Sequence, residues 1–142
     1  MKCVTDTNVV VSGLLWLGNP GRLLEAAANG RITLYTSPAL VAELRSTLSY
    51  DRFVPRIERS GLTLDGLLAR YLNVAIVIDP VAVPRVVAND ADDDQVLACA
   101  LAAQADLIVS GDADLLTLQE YQGIRIVNPA TALTLIEQHH HD

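Results

Sequence analysis

Lysine is almost absent from this 142-residue chain: Lys2 is the only one, and the other basic residues are arginines. Seventeen acidic residues against ten basic ones give a formal charge of −7. That balance argues against a broad basic face that holds nucleic acid by its phosphates, an objection that weakens only if cations fill an acidic site. Cysteine is scarce as well. Cys3 and Cys99 lie inside apolar segments and lack CxxC spacing, so they read as buried thiols of a reducing compartment rather than as a disulfide, a redox pair or a zinc site. Histidine occurs only at residues 139–141, a tail that is either native or the remnant of a purification tag. No apolar run approaches the roughly 18 uncharged residues that span a bilayer. The opening Met1-Lys2-Cys3-Val4 reaches Asp6 at once, unlike a signal peptide. A cytoplasmic protein with no membrane segment is expected. No internal repeat and no low-complexity segment occurs.

What is present points to one domain. The 51% apolar content can fill one sizeable core, expected over residues 1–138 with 139–142 as a tail; it favours a buried homo-oligomer surface only weakly. Short β-branched runs at 3–5, 32–35, 74–77, 107–109 and 124–127 read as buried parallel strands. Between them, apolar periodicity predicts helices over about 9–17, 20–29, 38–49, 52–60, 63–72, 93–104, 113–119 and 129–138. Gly30, Gly61 and Gly123 supply stops, and Ser37-Pro38 and Asn128-Pro129 each supply an N-cap followed by proline at the first helical position. Strands alternating with helices predict an α/β fold of three layers: a central parallel sheet of about five strands flanked by helices, with right-handed crossovers.

In such sheets ligands bind beyond the carboxyl ends of the strands. Asp6 ends the first strand and Asp112 follows the fourth, although each is equally readable as a cap for the next helix. Glu43 falls at the border of the apolar stripe formed by Leu40, Val41, Leu44 and Leu48, where it faces either a cleft or solvent. Asp94 belongs to Asp90-Ala91-Asp92-Asp93-Asp94, at the start of an Ala-rich helix. The helix dipole accounts for one or two of these aspartates, not four. Two carboxylates about 4 Å apart repel by roughly 4 kcal/mol at an effective dielectric near 20, so crowding them calls for protons or cations. Hard divalent ions such as Mg²⁺ or Mn²⁺ prefer such oxygen ligands.

The ordered set Asp6-Thr7-Asn8-Val9-Val10-Val11-Ser12-Gly13-Leu14-Leu15, helical Glu43, Asp92-Asp93-Asp94-Gln95-Val96-Leu97-Ala98, and Ala105-Asp106-Leu107-Ile108-Val109-Ser110-Gly111-Asp112-Ala113-Asp114-Leu115-Leu116 resembles the PIN domain. Within that family it is most similar to the bacterial branch of VapC-like toxins from toxin–antitoxin modules. The resemblance spans essentially the whole chain. It implies a PIN-like fold and a Mg²⁺- or Mn²⁺-dependent ribonuclease with three core carboxylates and a frequent fourth: Asp6, Glu43, Asp94 and Asp112. Asn8 and Ser110 match supporting polar positions. Asp93 beside Asp94, and Asp114 near Asp112, are supporting acids onto which the third and fourth assignments can slip.

Metal held by these acids would lower the pKa of a water and share the substrate phosphate during in-line attack, with one or two ions left open. Arg52, Arg56 and Arg59, at i, i+4 and i+7, align on one helix face and either meet RNA phosphates or pair with Asp51 and Glu58 at the surface. Trp16 and Leu17 either contact a partner or pack in the core. The expected partners are an RNA substrate and a cognate antitoxin protein. Two rival readings remain: a catalytically silent PIN-like RNA-binding or scaffold module, and an aspartyl-phosphate phosphatase or receiver domain. The last resembles families that need a lysine in the pocket, whereas Lys2 precedes the first strand.

Overall fold

The structure, a computed structural model, describes residues 1–16, 18–80, 82, 85 and 91–141, with the side chains of 91, 140 and 141 excluded. Leu17 and Asp90, both singled out above, lie outside the described residues. Among the described residues six strands form one sheet: β1 (Lys2–Thr5), β2 (Thr33–Thr36), β3 (Ala75–Val77), β4 (Leu107–Val109), β5 (Glu120–Tyr121) and β6 (Ile124–Val127). Their spatial order is β3-β2-β1-β4-β6-β5. All neighbours are parallel except β5, which pairs antiparallel with β6. The five runs read from the sequence are the five parallel strands. The edge strand β5 has only two residues, too few to show a periodicity in the sequence.

Among the described residues eight α-helices connect or cover these strands: α1 (Thr7–Leu15), α2 (Asn19–Ala28), α3 (Pro38–Leu48), α4 (Val54–Ser60), α5 (Leu64–Leu72), α6 (Ala91–Ala103), α7 (Ala113–Leu118) and α8 (Pro129–His141). The helix expected over 52–60 is divided. A 3₁₀ turn at Asp51–Phe53 precedes α4, and Pro55 falls in the first turn of α4, where its missing N–H does no harm. Caps fall where the chemistry calls for them. Ser37 Oγ accepts from Leu40 N–H at 3.3 Å, and Asn128 Oδ1 accepts from Thr131 N–H at 2.8 Å. Gly30 and Gly61 take φ of 77° and 76°, the left-handed turn that a residue with a Cβ resists.

The pleat sorts the core into two layers. Cys3, Leu34, Leu107, Val109 and Val127 pack with α1, α2, α3, α5 and α8 residues such as Val10, Leu23, Leu44, Leu67 and Ile136. Val4, Ile108 and Ile126 point the other way, against Val96, Leu97, Cys99 and Ala100 of α6 and Leu115 of α7. The two cysteines are thus buried, unbonded and on opposite faces of the sheet. Burial pushes each thiol up to about 12.

The α1–α2 hairpin closes at Gly13. A Cβ there would lie 2.8 Å from both the Pro20 carbonyl oxygen and Leu24 Cδ1, and the backbone oxygen cannot swing aside. Gly21 differs: its nearest neighbour would be the Trp16 carbonyl at 3.5 Å, an ordinary contact. Alanine in a helix gains about 1 kcal/mol over glycine, whereas overpacking costs about 1–3 kcal/mol. Thermal melts should therefore show Gly13→Ala lowering Tm while Gly21→Ala leaves it unchanged or raises it. Equal effects at both sites would refute the close-approach explanation.

Candidate active site

Parallel pairing sets Thr5 opposite Val109, and the Asp6 N–H donates to the Val109 carbonyl at 3.1 Å. The next residues off the two strands, Asp6 and Ser110, therefore meet at the carboxyl edge. The chain leaves β1 toward β2 on one side and arrives at β4 on the other, so this edge is a topological switch point of the sheet.

Asp6 is buried and caps α1, its Oδ1 accepting from Val9 N–H at 2.9 Å. Its Oδ2 accepts from the Ser110 hydroxyl, and the Gly111 N–H donates to the same carboxylate. The fully buried Ser110 Oγ in turn accepts from Asp112 N–H at 2.9 Å. Asp112 caps α7, its Oδ1 accepting from Asp114 N–H at 2.7 Å. One hydroxyl thus couples the two strand-end aspartates. Both the capping and the cleft readings of Asp6 and Asp112 hold at once, because each carboxylate spends one oxygen on its helix. Desolvation raises the Asp6 carboxyl above its ordinary 3.8; donors from Ser110, Val9 and Gly111 offset part of this, and the Asp112 charge adds to the rise.

A small, polar cleft of about 40 Å³ opens there, lined by Asp6, Thr7, Asn8, Glu43, Asp92, Asp93, Val96 and Asp112. Carboxylate oxygens of Asp93, Asp112 and exposed Asp114 all lie within 4.8 Å of one another. The strand-end acids, helical Glu43 and the acidic run are thereby brought together. Asp94, the residue expected third, is buried but does not line the cleft. The reason is helical rotation: Asp92, Asp93 and Val96 share one face of α6, whereas Asp94 turns about 100° away, toward the side of core residues Leu97 and Ala98. Of the supporting positions, Asn8 lines the cleft and Ser110 lies beneath it. Asp92, Thr7 and Val96 escaped the sequence reading as lining residues; the i, i+4 spacing of Asp92 and Val96 was the available signal. A larger, more apolar cavity of about 540 Å³, lined by Gly13, Leu14, Leu24, Arg70 and Tyr71 among others, contains none of these acids.

The three candidate RNA-contacting arginines do not form one straight helical row. Arg52 sits in the 3₁₀ turn, whereas Arg56 and Arg59 lie on α4. Among the described residues none of them pairs with Asp51 or Glu58, and the ion pair present is Arg45–Asp65, at 3.0 Å on the surface. No helix of the described residues is long and apolar enough to cross a membrane.

Comparison with known proteins agrees with this geometry. An uncharacterized protein of Methanocaldococcus jannaschii is 29% identical over 121 residues, covering 84% of this chain and 76% of that protein. The sequence profile of the PIN domain matches residues 2–114, from the first strand to the acid beyond Asp112. With a mostly parallel sheet, acids gathered at its switch point and that match over most of its length, the chain belongs to the PIN domain family, a family of nuclease type.

Proposed function

We propose that the chain is a metal-dependent endoribonuclease that cleaves RNA phosphodiester bonds, using Mg²⁺ or Mn²⁺ held by Asp6, Glu43, Asp93 and Asp112 with Asp114 close by. The observation that carries this reading is the approach of carboxylate oxygens from α6 and α7 to within 4.8 Å beside Asp6. The donor set fits a hard divalent cation: the cleft offers carboxylate and amide oxygens and neither imidazole nor thiolate. Bound there, such a cation supplies a water of lowered pKa and a counter-charge for the phosphate. The protein's part is to hold that geometry. Ser110 fixes Asp6 relative to Asp112, α6 presents Asp93 from its first turn, and Glu43 closes the cleft from α3. Asp93 takes the third place, ahead of Asp94, because it faces the cleft.

The biological reading, taken from the likeness to the toxin branch, is the toxin of a toxin–antitoxin module, acting in the cytoplasm and restrained by a cognate antitoxin. A short neighbouring gene for a DNA-binding antitoxin, and relief of growth arrest when it is co-expressed, would support it. Growth unaffected by expression of the chain alone would count against it.

Two neighbouring aspartates separate a ligand from a structural acid. Loss of even an outer partner of a metal commonly costs about 10–100-fold, so Asp93→Asn should lower cleavage of RNA by about a hundredfold or more and abolish Mn²⁺ heat in calorimetry. Asp94→Asn should keep Mn²⁺ binding and cut within a few-fold of wild type. The reverse pattern would make Asp94 the ligand, and wild-type cleavage undiminished in EDTA would end the metal-dependent reading.

The raised carboxyl of Asp6 gives a second test. An acid whose folded value lies above its unfolded one contributes stability below the unfolded value, near 3.8, which is lost as pH rises through the folded value. At neutral pH its ionisation therefore opposes folding in metal-free protein. Asp6→Asn, which caps about as well, should melt higher than wild type in EDTA, by about 4 °C for each kcal/mol relieved. Mn²⁺ should raise the wild-type Tm and leave that of Asp6→Asn unchanged. A lower Tm in EDTA for the variant would contradict the assignment.

A further inference from the structure

Three rings meet where α1 and α3 end. Trp16 follows α1, Tyr50 follows α3, and Phe53 lies between them in the 3₁₀ turn. Trp16 meets Phe53 edge-on, with centroids 6.1 Å apart at 73°; Tyr50 stacks with Phe53 at 6.5 Å and 13°. Phe53 is buried, but Trp16 is 37% and Tyr50 49% exposed. Arg56 lies over the Trp16 ring at 4.7 Å, and Arg52 lies over Phe53 at 4.8 Å and Tyr50 at 5.5 Å. Among the described residues neither guanidinium has a carboxylate partner. Ring faces hold these cations in place while their charge stays uncompensated, in a chain whose formal charge is −7. Rings beside arginines, which themselves offer planar stacking surfaces, form the surface that unpaired bases and their phosphates recognise.

The placement ties this surface to the acidic cleft. Asn8, which lines the cleft, and Ser12 lie on one side of α1, and the helix delivers Trp16 one turn further on. At 1.5 Å per residue, Trp16 stands about 13 Å from the start of α1, and Tyr50 about 10 Å along the chain beyond Glu43. Those lengths correspond to about three to four stacked nucleotides at 3.4 Å each. We infer that Trp16 and Tyr50, backed by Phe53 and flanked by Arg52 and Arg56, form a stacking platform for unpaired bases of the strand whose phosphate enters the cleft. This inference rests on the ribonuclease reading for its choice of polymer, but binding can be read without cleavage.

Trp16 is the chain's one tryptophan, so its fluorescence reports the platform alone. In EDTA, where metal-dependent cutting stops, titration with a 12-nucleotide unpaired RNA should quench and shift that emission, and the same sequence as a duplex should not. By anisotropy of a labelled strand, Tyr50→Ala and Trp16→Leu, each checked by thermal melt, should each weaken binding about 5- to 150-fold, the range measured for single stacked bases. Arg52→Ala and Arg56→Ala should each make the plot of log K against log salt shallower by about 0.7 for every phosphate left without its arginine. Equal quenching by duplex and single strand would overturn the assignment of the rings to unpaired bases. No quenching, or folded ring variants that bind RNA within twofold of wild type, would overturn the platform and assign the rings to a protein contact. A protein that binds unpaired RNA through these rings but never cleaves it would fail the ribonuclease reading and leave the platform standing.

Discussion

Parallel pairing of β1 with β4 is the constraint from which the site follows. Once Thr5 stands opposite Val109, Asp6 and Ser110 must leave the sheet side by side, and one hydroxyl is placed to accept from one strand's continuation and donate to the other's. Each strand-end aspartate then starts a helix with one carboxylate oxygen, which fixes the rotamer of the other. Side-chain positions are thus set by backbone N–H groups, the most rigid donors available. Pre-organised carboxylates of this kind need little rearrangement on meeting a cation.

Much of this was legible in the residues, for reasons that differ by element. The central strand β4 is buried along its whole length and β1 beyond Lys2, so both read as continuous runs with no polar alternation; β3, where Ile76 and Val77 are half exposed, is legible from its β-branched composition alone. The proline-led helices announced themselves by Ser37-Pro38 and Asn128-Pro129. Asp6 and Asp112 were visible because position after a strand is a sequence property. Which of Asp93 and Asp94 lines the cleft was not: it depends on how far α6 is rotated about its axis, which the core-facing Leu97, Ala98 and Cys99 decide. With Val96, Leu97, Ala98, Cys99 and Ala100 all apolar, the helix has no single stripe from which that rotation could be read. The aromatic cluster was equally hidden, since Trp16 and Tyr50 are 34 positions apart and only the packing of α1 beside α3 brings their neighbourhoods together.

Charge in the molecule is segregated, and the two poles have different partners. Acids crowd the carboxyl edge, where burial already lifts Asp6, so that edge favours cations and disfavours a bare polyanion. Arg52 in the 3₁₀ turn and Arg56 on α4 use rings, not carboxylates, to stay in place, whereas Arg45 in the last turn of α3 pairs with Asp65. On the platform proposed above, an acidic chain would approach a phosphate backbone without a broad basic face, through the two arginines that its rings hold.

The sheet's two buried thiols carry a consequence of another kind. Cys3 and Cys99 sit on opposite faces and are each pushed up to about 12 by burial, so at neutral pH both are held as thiols and not as thiolate, the reactive form. Neither can reach the other, and neither is open to reagents while the strands and α6 stay packed. Capture by a thiol-specific reagent therefore marks the moment when a layer of the core parts, and the two sulfurs act as built-in stopwatches, one for each side of the sheet.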